Sequence, residues 1–187
     1  MPEQVTAQIT AQQLAQKFHG TPGRGCIVVT GSGIQAISDL FAEPGASRTI
    51  LEAQVPYSRK ALHEFVGEPT EQHVSANEAQ LMARAALKRA QQLAEGDDGD
   101  QPLFGVGCTA AVATDRVRRG EDRAHIAWAT NTGSGGGSIW FDKQSRSRAD
   151  EDAIVSAIVL NSIAEALGIE ERLEFDVLET ERFDEID

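Results

Sequence analysis

Cations, cysteines and aromatics are all scarce in this chain. Seventeen lysines and arginines face 29 aspartates and glutamates, a net charge of −12 over 187 residues. A polyanion or an anionic bilayer would be repelled before contact, so neither nucleic acid nor a membrane surface is expected as a partner. There are two cysteines, Cys26 and Cys108, each at or beside an apolar run. With no CxxC spacing and no His/Cys cluster, they read as buried thiols rather than a disulfide or a metal site. No apolar run is long enough to span a bilayer, and Met1–Gly20 is polar and amphipathic rather than a secretory leader. A cytoplasmic address is expected. Neither GxGxxG nor GxxxxGK[ST] occurs, which removes the common dinucleotide and P-loop phosphate cradles.

What is present suits one domain with a single core, residues 1–169, followed by an acidic tail, residues 170–187. Nine acids and two arginines in that tail supply seven of the twelve net negative charges. Thr10 has the pattern of an N-cap for a short helix carrying Leu14 and Phe18, stopped by His19-Gly20. Short apolar strands are expected at Cys26–Thr30, Arg48–Tyr57 and Leu103–Cys108, all in one sheet. Amphipathic helices are expected at Ile34–Ala42, at Arg59–Val66, from Ser75 to about Glu95, and at Asp150–Leu167. Ala124–Thr130 and Ser138–Asp142 read as a hairpin around a glycine-rich loop, "NTGSGGGS". The alternating "RLEFDVLE" of the tail, Arg172–Glu179, suits an edge strand. Strands alternating with helices predict an α/β layered fold with a mixed sheet.

Three places could carry chemistry. "TGSGIQ", Thr30–Gln35, runs from a strand into a helix, where helix N-terminal amides bind anions; a plain strand-to-helix turn is the alternative. "GVGCTAAVATDRVRRGEDR", Gly105–Arg123, ends a strand in small residues followed by Arg116, Arg118, Arg119 and Arg123, either an anion site or a solvated loop. "PYSRK" sets the single tyrosine, Tyr57, with Ser58, Arg59 and Lys60 at a strand end. A phenol beside a cation can act as an acid or orient a nucleophile, because the positive charge favours its ionised form. His125, inside an apolar strand pattern, reads as a hydrogen-bonded core histidine.

The order "TGSGIQAI", "PGAS" (Pro44–Ser47), "VPYSRKAL", "HVSANEAQLMARAALKRA" and "GVGCTAAVATD" resembles the CinA C-terminal family, the nicotinamide-nucleotide amidohydrolases, over roughly Thr10–Gly168. The resemblance implies a three-layer α/β/α fold, a homodimer, and hydrolysis of the carboxamide of nicotinamide mononucleotide to the acid and ammonia, without a metal or other cofactor. Carried over from that family's "ESCTGG" turn, the nucleophilic serine falls on Thr30 and the following threonine on Ser32. Gly33 matches the first glycine of the pair and Ile34 replaces the second. Tyr57 and Ser58 match the tyrosine and serine of "YSNEAK"; the assisting lysine falls on Leu62, with Lys60 nearby. Thr109 and Asp115 are kept from a "TGIAGPxGG" turn that has lost its glycines and proline.

Three functions fit these residues. An amidohydrolase would use Thr30 or Ser32 as nucleophile, Tyr57 as acid/base and Lys60 as the substitute cation. Gly31, Gly33, Ser58, Thr109, Arg116 and Arg119 would hold a small nucleotide. A nucleotide-binding module without catalysis would need only the turn and the arginines, and a dimeric scaffold would use the acidic tail to dock a partner. The first two predict that Thr30–Gly33, Tyr57-Ser58 and Cys108–Ala110 converge on one cleft, with Ser32 and Tyr57 facing each other across it and the helix at Ile34 aimed at a bound anion.

Overall fold

The computed structural model describes residues 8–68, 70–97 and 99–187. Among the described residues six strands form one sheet in the order β2-β1-β3-β4-β5-β6. The strands are β1 (Arg24–Thr30), β2 (Ile50–Gln54), β3 (Leu103–Ala111), β4 (Asp122–Thr130), β5 (Ser134–Phe141) and β6 (Arg182–Ile186). β1 runs parallel to β2 and β3, and the rest of the sheet is antiparallel. The sheet is therefore mixed, as expected.

Helices cover both faces. Helices α1 (Ala11–His19), α2 (Ile34–Ala42) and α6 (Arg148–Leu167) pack on the face carrying Ile27, Val29, Val106 and Ile126. On the other face lie α4 (Arg59–Val66) and α5 (Ala76–Leu93), against Cys26, Val28, Ala127 and Ala129. This is a three-layer α/β/α fold. Helix α5 can lie directly on β3 because Gly105 and Gly107 have no side chain. A methyl group at Gly107 would stand 2.7 Å from the Ala83 amide nitrogen, inside van der Waals contact.

Several boundaries differ from the sequence expectation. The strand expected at Arg48–Tyr57 is only Ile50–Gln54. Before it, Ala46–Thr49 makes a helical turn, α3, and the Thr49 hydroxyl ties back to the Phe18 carbonyl at 3.2 Å. The expected hairpin forms, but its loop is only Asn131–Gly133: the rest of "NTGSGGGS", Ser134–Ser138, belongs to β5, and glycine is required at Gly135–Gly137 because Trp128, Ile126 and Phe183 press on the backbone. In the tail, Arg172–Glu179 forms no strand, whereas Arg182–Ile186 pairs antiparallel with β5. Leu173 and Phe175 instead pack down on the core. Cys26 and Cys108 are both free and buried on opposite faces of the sheet, so they cannot bridge each other. Burial pushes the Cys26 thiol up to about 12 and raises Cys108 as well, which keeps both protonated.

Candidate functional site

The chain leaving β1 meets the ends of β2 and β3 at the carboxyl edge of the parallel strands. Gly31 sits against the Ala110 carbonyl at φ +83°, a contact and a backbone angle that only glycine accepts without strain. The Cys108 thiol points at the Ser32 carbonyl, 3.5 Å away. The three predicted strand ends thus gather on one edge.

One helix end holds them together. Ser147 caps α6 with a reciprocal box to Asp150, and the helix start then presents Arg148, Glu151 and Asp152 to the strand ends. The Arg148 guanidinium donates to the Ala113 carbonyl (2.9 Å), the Gly31 carbonyl (3.1 Å) and Tyr57 Oη (3.3 Å). Glu151 is fully buried and accepts the Ala113 amide at 2.7 Å. Asp152 accepts from Ser32 Oγ (2.7 Å), the Gly33 amide (2.8 Å) and the Gln35 amide (3.4 Å).

These contacts revise the expected site in two ways. The cation beside Tyr57 is Arg148, not Lys60, which is exposed at the start of α4. The anion at the N-terminus of α2 is the carboxylate of Asp152, which meets the orphan amides and the helix dipole from within the chain. Ser32 therefore turns its hydroxyl toward Asp152, while Tyr57, 65% exposed, reaches Arg148. Ser32→Ala removes a hydrogen bond to a buried-edge carboxylate and is expected to lower stability by about 1.5–3 kcal/mol. Urea unfolding checks this; an unchanged midpoint would show that the Asp152 contact contributes nothing.

The other expected residues fall as follows. Thr30 is 9% exposed at the end of β1. Thr109 pairs with it in register on β3 and donates to the His73 carbonyl. Ser58 accepts the Ala61 amide at 3.1 Å and so caps α4. Arg116 lines a cavity of about 280 Å³ with Ala113, Asp122 and Lys143, next to the segment that Arg148 and Glu151 hold. Arg119 lines a different cavity, with Trp140 and Arg182, so the two arginines do not share one anion site. Arg118 is engaged by Asp122. His125 is a core histidine: its Nδ1 lies 2.7 Å from Ser138 Oγ, and burial, with Arg123 nearby, lowers it to about 4.

Sequence reading missed Arg148, Glu151 and Asp152. Their only signal was an acidic first turn on α6, which any helix N-terminus favours. Burial pushes the Glu151 carboxyl up to about 7, and Asp122 adds to this, against the pull of the Ala113 amide and Arg118.

No protein-family model and no curated protein sequence matches the chain. Solved structures do. The chain is similar to a competence or damage-inducible protein from Enterobacter asburiae, with a TM-score of 0.63 and 17% identity, covering 86% of this chain and 98% of that one. A competence damage-inducible protein A from Klebsiella pneumoniae gives 0.62 and 14% over 87% and 100%. A CinA-superfamily protein from Escherichia coli gives 0.59 and 15% over 84% and 89%. The fold is CinA-like.

Proposed function

We propose that this chain is a CinA-like amidohydrolase that cleaves the carboxamide of nicotinamide mononucleotide or a related small nucleotide. The observation that carries the reading is the Arg148 guanidinium 3.3 Å from Tyr57 Oη, at the sheet edge where Thr30 ends β1. Hydroxyl nucleophiles are weak and need a proton acceptor or a cation close by. Here Thr30 attacks the amide carbon. Tyr57, oriented by Arg148, donates a hydrogen bond to the substrate carbonyl oxygen as charge gathers on it, and Arg148 takes the cation's place beside Tyr57 instead of Lys60. The peptide groups of Gly31 and Gly33 shape the turn beneath the substrate, Ser58 fixes the start of α4 behind Tyr57, and Thr109 supports the floor beside Thr30. Arg116, on the segment anchored by Arg148, faces the substrate phosphate. Ser32 is a positioning residue, because Asp152 takes its hydroxyl. The reading includes a homodimer, a small nucleotide as ligand, and no nucleic-acid or membrane partner. Among the described residues no helix is long and apolar enough to cross a membrane.

A binding module without catalysis is the second reading. It is favoured by Asp152 at the N-terminus of α2, which takes up the Ser32 hydroxyl and the Gly33 and Gln35 amides that a substrate anion would use.

Ammonia release from nicotinamide mononucleotide, measured alongside thermal unfolding, decides between them. Turnover that falls at least tenfold in Arg148→Met is expected. Stabilisation grows as RT ln(1 + [L]/Kd), about 2.7 kcal/mol at a hundredfold excess of nucleotide over Kd. Stabilisation without ammonia would select the binding module.

A further inference from the structure

Glu78 is fully buried in the first turn of α5, yet neither of its carboxylate oxygens has a hydrogen-bond partner among the described residues. Buried polar groups are nearly always paired, and charged ones most of all, so an open carboxylate inside a fold calls for a role. His63 Nε2 and His73 Nδ1 also lack partners, and their rings lie 4.9 Å apart. One corner thus gathers unmet hydrogen-bonding capacity: the place where the connection from α4 to α5 returns to the sheet edge.

The packing sets what Glu78 lies against. Residues 78, 82, 86 and 90 are spaced four apart and form one buried stripe of α5; Met82, Ala86 and Ala90 pack on Cys26 and Val28 of β1. Gly107, the register partner of Val28, lies under Met82 and Ala83. One helical turn from Met82 toward the N-terminus is a step of about 5.4 Å. Two residues along a strand is about 6.6 Å, on the same face. The step from Met82 to Glu78 therefore matches the step from Val28 and Gly107 to Thr30 and Thr109. This register puts Glu78 over that threonine pair on the α5 side, without a hydrogen bond to either hydroxyl. Thr109 already donates to the His73 carbonyl, which leaves Thr30 as the member of the pair to be matched with Glu78.

We propose that Glu78 is the proton acceptor for the Thr30 hydroxyl, making Thr30 and Glu78 the nucleophile–base pair of this site. The inference rests on the hydrolase reading for the reaction it serves. Thr30 Oγ1 forms a bond to the acyl carbon as its proton passes to the Glu78 carboxylate. The carbon–nitrogen bond breaks, and the same proton goes to the departing nitrogen, which leaves as ammonia. Water then attacks the threonyl ester and gives a proton to Glu78, which returns it to Thr30 as the acid departs. Amide and water become acid and ammonia, and both residues end as they began.

An acylating probe tests the pair independently of the natural substrate. With p-nitrophenyl acetate, peptide mass spectrometry is expected to find the acetyl group on Thr30, and Thr30→Val should abolish it while Thr30→Ser retains it. Glu78→Gln, which keeps the side-chain shape, should slow labelling of Thr30 by 100-fold or more, in the range of general-base effects. If that variant does not fold, Glu78→Asp takes its place, with labelling expected to be slower than wild type but present. A wild-type protein unlabelled at Thr30, or a Glu78 variant labelled at the wild-type rate, overturns the proposal. Ammonia release from nicotinamide mononucleotide is followed in parallel. Glu78-dependent labelling without ammonia upholds the pair and removes the nicotinamide substrate; ammonia release undiminished in Glu78→Gln overturns the pair and keeps the substrate.

Discussion

Arg146→Met is expected to destabilise the protein by about 3–5 kcal/mol, the cost of leaving a buried carboxylate without its cation. The carboxylate is Glu181, whose side chain is 0% exposed while that of Arg146 is 14% exposed. Arg146 Nε donates to it at 2.8 Å and a terminal nitrogen at 3.0 Å; the Leu178 and Asp142 amides donate at 3.0 and 3.3 Å. Burial alone would raise the Glu181 carboxyl, but these donors hold it below the usual range. The pair joins the segment before α6 to the turn before β6, so its loss should also free the edge strand. Urea unfolding gives the stability change, and amide exchange over Arg182–Ile186 gives the local one. A double variant, Arg146→Met with Glu181→Gln, should recover much of the loss because no charge is then left buried. A single-variant change below about 1 kcal/mol would mean that the two amides suffice.

Glu151→Gln is expected to stabilise the protein at pH 8 by roughly 2–3 kcal/mol and to change it little at pH 4. The folded carboxyl titrates at about 7 and the unfolded one near 4.5, so between those values the folded chain holds more protons. Stability therefore falls as pH rises through that window, at up to about 1.4 kcal/mol per unit, and the loss is complete above pH 7. Glutamine keeps an oxygen for the Ala113 amide and carries no charge to desolvate. His125 acts in the opposite sense. Its folded value near 4 lies below its unfolded 6.5, so its contribution is lost as pH falls between those two values. Calorimetric melting temperatures from pH 4 to 8 should show the wild-type decline on the alkaline side flatten in Glu151→Gln. A variant that melts with the wild-type pH profile would place the titration elsewhere.

Much of the architecture was decided by local pattern. Apolar runs such as Cys26–Thr30 and Leu103–Cys108 can be buried on both faces only inside a sheet, and Leu14 with Phe18, or Met82 with Ala86, can be buried only as one face of a helix. The caps at Thr10 and Ser75 and the stops at Gly67 and Gly168 act through bonds three or four residues away, so they too are read directly from order. Convergence of Thr30–Gly33, Tyr57 and the end of β3 on one edge followed from the strand directions.

The tertiary structure decided everything that depends on contacts across the chain. Whether Gly135–Gly137 is loop or strand turns on Trp128 and Phe183, which press on it from other strands. Which anion fills the N-terminus of α2 turns on Asp152, 119 residues from Gly33. Which cation meets Tyr57 turns on Arg148, 91 residues away. Nothing in the sequence sets Glu78 apart from any other first-turn acid, because its isolation is a property of what α5 covers and not of its neighbours in sequence. Local order encodes periodicity and capping; the pairing of charges with amides and hydroxyls is set only when helices α5 and α6 dock on the sheet.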